Sequence, residues 1–309
     1  MNRIDSLRAA GTIRIALTSL LLASSTVGAL AQAPQATPTQ AAVPAVVAIA
    51  RPTNAELEVA RTGFAKLLEK ADPATRIVLQ KYPGLLEVRP PVPNSATLPS
   101  LSPQFQAKHL ANLEVAKQGD ANLLFMGDSI TDFWRNTEGA YAGKAVMDKH
   151  FGQWKIANFG IAGDTTQGVL FRLQNGEGQG FSPRAIMLMI GTNNTARNTA
   201  AEIAEGIGAT VLELQRDFPQ AKILLLGVFP RGRANDPVRA TLAEINRSIA
   251  KLHDGERVHY LDIGNGFLDA AGNVPVDVMS DGLHPTPKGY EIWAQAVEAP
   301  LSKLMGAAK

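Results

Sequence analysis

Asn122-Leu-Leu-Phe-Met-Gly-Asp-Ser-Ile-Thr131 is a short apolar run that breaks at a glycine and delivers a serine. A run this brief, closed by Gly127, reads as a buried strand, and the glycine permits a tight turn into the helix that follows. Four further runs repeat the pattern at Lys155–Phe159, Ala185–Ile190, Lys222–Val228 and Val258–Asp262, each followed by a helical or loop stretch. Near-continuous apolar strands alternating with amphipathic helices predict an α/β domain, a parallel sheet covered on both faces. The last helix is expected from Thr286-Pro287, with Thr286 as cap and Pro287 in the first turn. Tyr290, Trp293 and Val297 form its buried face, and Pro300 is expected to kink or end it.

In open parallel sheets, ligands bind outside the carboxyl ends of the strands. Functional residues are therefore sought just after the apolar runs. After the first run stands Ser129, at the start of a helix, where a hydroxyl is exposed and developing negative charge is favoured. A serine there can simply cap the helix; as a nucleophile it needs a base within hydrogen-bond reach. Position 131 is threonine, so this is not the G-x-S-x-G elbow of α/β-hydrolases. After the second run, Gly163 has no side chain to keep its N–H from a substrate oxygen, though it also reads as a plain turn glycine. After the third, the Asn193 amide can donate to the same oxygen, or merely open a helix. Before the last helix comes Ser280-Asp-Gly-Leu-His284-Pro285. His284 can take a proton from Ser129, and Asp281, three residues earlier, can hold the other ring nitrogen. Of the five histidines, only His284 has a carboxylate at this loop spacing before a terminal helix.

Taken together, these residues resemble the SGNH (GDSL-type) hydrolase family, whose four defining positions fall on Ser129, Gly163, Asn193 and His284, with Asp281 as the acid of the triad. Within the family the chain looks most like the catalytic subunits of platelet-activating-factor acetylhydrolase and related bacterial esterases. The likeness is carried by Asn158-Phe-Gly-Ile-Ala-Gly-Asp-Thr-Thr166, Leu173-Gln-Asn-Gly-Glu177, Gly191-Thr-Asn-Asn194, Pro219-Gln-Ala-Lys-Ile223 and Pro230-Arg-Gly232, while Asp281-Gly-Leu-His-Pro285 is closer to bacterial esterases. The resemblance implies a flavodoxin-like three-layer α/β/α sandwich with a five-stranded parallel sheet. It also implies no metal or other cofactor, and hydrolysis of short acyl esters through an acyl-serine intermediate. The N–H groups of Ser129 and Gly163 and the Asn193 amide would form the oxyanion hole.

The ends of the chain read differently. Arg3, Arg8 and Arg14 precede the apolar run Ile15–Leu22 and the small residues ending Ala29-Leu-Ala31, the layout of a cleaved secretory signal over residues 1–31. Export to the periplasm or exterior is the expectation, with no stable membrane insertion once the signal is removed. Those three arginines against Asp5 account for the whole net charge of +2, so the rest of the chain is neutral and gives no case for a nucleic-acid partner. There is no cysteine, hence neither disulfide nor thiol nucleophile.

Residues 32–52 are Ala, Pro, Gln and Thr with little else and read as a flexible linker. Residues 53–118 read as a helical extension, opening on a Thr53–Glu56 capping box. Leu57, Ala60, Phe64, Leu67 and Leu68 share one face that is expected to pack on the main domain, residues 119–309. A later helix is placed through Leu110 and Val115.

Asp128 reads as structural; Asp164, Thr165 and Thr166 as a helix cap; Phe133 and Trp134 as core or pocket lining; Arg231 and Arg233 as a solvated loop. Gly176-Glu-Gly-Gln-Gly180 lacks the strand and spacing of a dinucleotide loop. The function expected is an exported serine esterase acting on small or carbohydrate-borne acetyl esters, with lipid esters second. A non-catalytic binder on the same scaffold is the alternative from a different class. A nucleotide-binding protein would need a phosphate loop after the first run, and none is there.

Overall fold

The computed structural model describes residues 39–306. The signal segment and residues 32–38 of the linker lie outside the described residues. In chain order, α1 (Asn54–Lys70), α2 (Pro73–Lys81) and α3 (Gln106–Gln118) precede the sheet domain. There β1 (Leu123–Gly127), α4 (Ser129–Asp132), α5 (Lys144–Phe151), β2 (Ile156–Asn158), α6 (Thr166–Arg172), β3 (Ala185–Met189), α7 (Ala200–Asp217), β4 (Lys222–Leu226), α8 (Pro237–Ile249), β5 (Val258–Leu261) and α9 (Pro287–Met305) follow. All five strands pair in parallel in the order β2-β1-β3-β4-β5.

The strands are apolar throughout because both faces are covered. Leu124, Met126, Ile186, Leu188, Ile223 and Leu225 belong to one core layer with residues of α6, α7 and α8. Their neighbours Leu123, Phe125, Met187, Met189, Leu224 and Leu226 face the other layer, with α4, α5 and α9. A side chain of this size, fully buried, contributes about 1.5–3 kcal/mol. The chain order reverses between β1 and β3, so the first and third strand-end loops emerge side by side.

α9 begins as expected, with Thr286 capping Gly289, but Pro300 neither breaks nor ends it. Its final turn buries Leu301 and Met305, and that packing outweighs the one backbone hydrogen bond a proline forfeits.

The N-terminal portion departs further from expectation. The described part of the linker, residues 39–52, is packed. Val47 enters the core beside Gly208, the Ala41 N–H donates to the Thr97 carbonyl (2.8 Å), and Arg51 pairs with buried Glu205 at 2.6 Å. Proline lowers the entropy a segment loses on ordering, so these few contacts can hold it. Conversely, the Thr53–Glu56 capping box forms, yet Leu57 is the only buried residue of α1 and α2. Leu67 is 65% exposed and Phe64 is exposed too, so only part of the apolar stripe of α1, at Leu57 and in part Ala60 and Leu68, is covered. In α3 the packed side is polar: His109 and Asn112 are buried while Leu110 and Val115 are exposed. Their partner is a buried carboxylate, Glu177, that helical periodicity does not reveal.

Candidate active site

β1 ends in a turn that only glycine allows, because a Cβ at 127 would collide with the Met189 carbonyl and the Thr131 hydroxyl. Asp128 then caps α4, its Oδ1 accepting from the Ile130 N–H at 3.0 Å, and Ser129 opens the helix. Asp128, not Ser129, therefore does the capping, and the Ser129 hydroxyl is left for other work. Burial lifts the Asp128 carboxyl to about 7, against the pull of the Ile130 N–H, and its Oδ2 has no partner among the described residues.

The loop before α9 reaches the same end of the sheet. Tyr290 of α9 donates to the Ile130 carbonyl at 2.8 Å, which fixes the terminal helix against the Ser129 turn. His284 Nε2 lies 2.8 Å from Ser129 Oγ, and His284 Nδ1 lies 2.6 Å from Asp281 Oδ2. Oδ1 of Asp281 accepts the N–H groups of Leu283 (2.9 Å) and His284 (2.8 Å), so the carboxylate stiffens the loop that presents the ring. Burial alone would raise the Asp281 carboxyl. The His284 backbone and imidazole, the Leu283 N–H and the Tyr141 hydroxyl together outweigh it and hold the group down at about 2. The three side chains thus form one hydrogen-bonded chain able to pass a proton from hydroxyl to imidazole.

Gly163 and Asn193 come together on the neighbouring loops. Gly163 adopts φ +86°, a conformation that favours glycine. The Asn193 amide donates to the carbonyl of Asp164, the next residue, at 2.8 Å, leaving its second N–H for another acceptor. The N–H groups of Ser129 and Gly163 meet no acceptor among the described residues. Gly163 and Asn193 line one cavity of about 480 Å³.

Two supporting residues carry little or no signal in the sequence. Tyr141 donates to Asp281 Oδ2 at 3.0 Å and stacks on Phe133, and both rings lie about 5 Å from the imidazole. Asp132 accepts the Ala162 N–H at 3.0 Å and pairs with Lys108 of α3 and with Arg135, whose guanidinium also binds the Asn158 and Gly160 carbonyls. Only proximity to the serine, three residues on, marks Asp132 in the sequence; Tyr141 stands 140 residues from its partner.

Other readings are corrected or divided. Phe133 faces His284, whereas Trp134 is fully buried core. Thr165 stands at the N-cap position of α6 but no side chain caps the helix, and Asp164 is fully buried against Arg172. Arg231 is no solvated side chain but is half-buried and donates to Thr195 Oγ1 at 2.7 Å, while Arg233 is exposed.

With this geometry in place, the comparisons are direct. The GDSL-like lipase/acylhydrolase family matches residues 125–292, more than half the chain. The chain is 39% identical over 178 residues to platelet-activating factor acetylhydrolase IB subunit alpha2 of Rattus norvegicus, covering 56% of this chain and 73% of that protein. For the Gallus gallus counterpart the identity is 34% over 200 residues, or 64% and 84% of the two chains. A solved structure from Streptococcus pneumonia, named for platelet activating factor, shares the fold with a TM-score of 0.53 at 22% identity, covering 64% of this chain and 92% of its own. The chain belongs to the GDSL-like lipase/acylhydrolase family and is a carboxylic-ester hydrolase.

Proposed function

We propose that the protein is an exported serine esterase that removes short acyl groups, acetyl foremost, from hydroxyl-rich alcohols of the carbohydrate kind. The observation that carries the catalytic reading is the continuous link from Ser129 Oγ through His284 to Asp281, at 2.8 and 2.6 Å. Ser129 Oγ attacks the ester carbonyl carbon as His284 Nε2 takes its proton, and the Asp281 carboxylate stabilises the imidazolium that forms. Negative charge on the carbonyl oxygen is met by the N–H groups of Ser129 and Gly163 and by the Asn193 amide. Collapse expels the alcohol, which receives its proton from His284. Water then attacks the acyl-serine with His284 as base, releasing the acid and restoring the hydroxyl.

An acetyl group is supported by relatives named as acetylhydrolases. The same names favour a second reading, a lipid ester substrate. Acetate release from acetylated oligosaccharides, compared with an acetylated short-chain glycerophospholipid, separates the two. The sugar esters are expected to give the higher kcat/KM, and a preference for the phospholipid would replace the first reading with the second. The export reading rests on residues 1–31 alone. It predicts that the chain recovered from the producing cells lies outside the cytoplasm and begins at Gln32; an intact N-terminus on a cytoplasmic protein would refute it.

A further inference from the structure

We infer that the segment before the family-matched region builds one wall of the alcohol subsite, and that this subsite takes a hydroxyl-rich group such as a sugar. The inference rests on the esterase reading above and adds to it which residues choose the alcohol. The cavity beside Gly163 and Asn193 is also lined by Ser102, Gln104 and Phe105 of the preceding segment and by Arg197. Its volume of about 480 Å³ is far more than an acetyl group fills and is ordinary for a small-molecule site. An ester whose carbonyl oxygen is held at Gly163 and Asn193 therefore has room there for its larger part, the alcohol.

The wall is built in, not draped over the domain. Phe105 is buried, and its ring lies within van der Waals contact, 3.4 Å, of where a Cβ on Gly163 would be. The Ser100 N–H donates to the Gln167 carbonyl (3.1 Å), the Thr166 hydroxyl to the Ala96 carbonyl (2.8 Å), and the Asn198 amide to the Ser95 hydroxyl (2.9 Å). Asn94 reaches buried Glu205 at 2.8 Å. A subsite held this way loses little freedom when ligand enters.

The lining chemistry selects the ligand. Its one carboxylate, Asp164, is buried against Arg172 and unavailable. Most of the remainder are serine, threonine, asparagine and glutamine side chains, which both donate and accept and so match hydroxyl groups that do the same. An acyl tail would require a mainly apolar lining.

The test is the ratio of kcat/KM on an acetylated xylo-oligosaccharide to that on p-nitrophenyl acetate, whose small alcohol makes fewer contacts. Ser102→Ala with Gln104→Ala should lower that ratio about tenfold, chiefly through KM. Gln104→Trp, which fills the cavity and removes no backbone support, should lower it as well. A mere loss of structure would depress both substrates together and leave the ratio standing, which would overturn the subsite. A fall confined to an acetylated glycerophospholipid would overturn the sugar assignment. Failure of the catalytic reading looks different: p-nitrophenyl acetate hydrolysis would then survive loss of the serine hydroxyl.

Discussion

Ser129→Ala is expected to lower kcat on p-nitrophenyl acetate by about 10⁴-fold or more while the unfolding midpoint in urea stays nearly fixed. Among the described residues, the Ser129 hydroxyl is the nucleophile that the proposed mechanism uses, and it stands 2.8 Å from His284 Nε2. The chain has no cysteine, and the nearby Thr131 hydroxyl is buried beneath the turn. What remains without Ser129 Oγ is electrostatic help from Gly163 and Asn193, which cannot replace a missing nucleophile. The structural cost is small, because one lost hydrogen bond to His284 is worth about 1 kcal/mol and the Asp128 cap of α4 is untouched. Retention of more than a few per cent of activity by a folded variant would end the assignment.

The pH profile supplies a second arm. Because the Asp281 carboxyl sits at about 2, below its ordinary value, the stability it contributes is present above the unfolded carboxylate value of about 3.9. That contribution is lost only as the pH falls through the folded value. Asp281 thus stays ionised throughout the pH 5 to 7 range, so an acid limb there does not report loss of its charge. Asp128, lifted to about 7, titrates in the same window beside the serine. The limb should survive in Asp128→Asn; its disappearance there would move the titration to Asp128.

The sheet and the residues of the hydrogen-bonded chain Ser129–His284–Asp281 were legible in the sequence because each depends on local pattern. Five apolar runs announce five doubly covered strands, and Ser129, Gly163, Asn193 and His284 stand where such strands or the last helix deliver side chains to one rim. What escaped reading is tertiary. Tyr141 meets Asp281 across 140 residues of sequence. A run of Ala and Pro looked unable to hold itself in place, yet Gly208 and Glu205 of α7 provide a seat for Val47 and Arg51. Periodicity marked the stripe on α1 as a packing face, but it does not show how much of the stripe is covered: Leu57 is buried and Leu67 is exposed. Asp164 has the spacing of a cap and Glu177 sits in a glycine-rich loop, so neither betrays that the two share one buried cation.

That cation makes the largest structural prediction. Arg172 is wholly buried, as are Asp164 and Glu177. Its Nε and Nη2 converge on Asp164 Oδ2 at 3.0 and 2.9 Å, and its Nη1 binds Glu177. His109 and Asn112 of α3 complete the cluster from the other side of Glu177, at 2.9 and 3.1 Å. The network thus ties the N-terminal portion to the loop carrying Gly163. Arg172→Met keeps much of the volume but leaves two carboxylates in the interior without their cation, and should cost about 3–5 kcal/mol at pH 8. Burial already raises the Asp164 carboxyl above its ordinary value despite the arginine. A group raised in this way is stabilising in its protonated form at low pH and loses that contribution as the pH rises. The destabilisation should therefore shrink on moving from pH 8 to pH 5, where the orphaned Asp164 carboxyl can take up a proton. Urea unfolding of wild type and variant at the two pH values measures both effects. A loss below about 1 kcal/mol, or one independent of pH, would mean that the cluster is held by packing and neutral hydrogen bonds instead of charge.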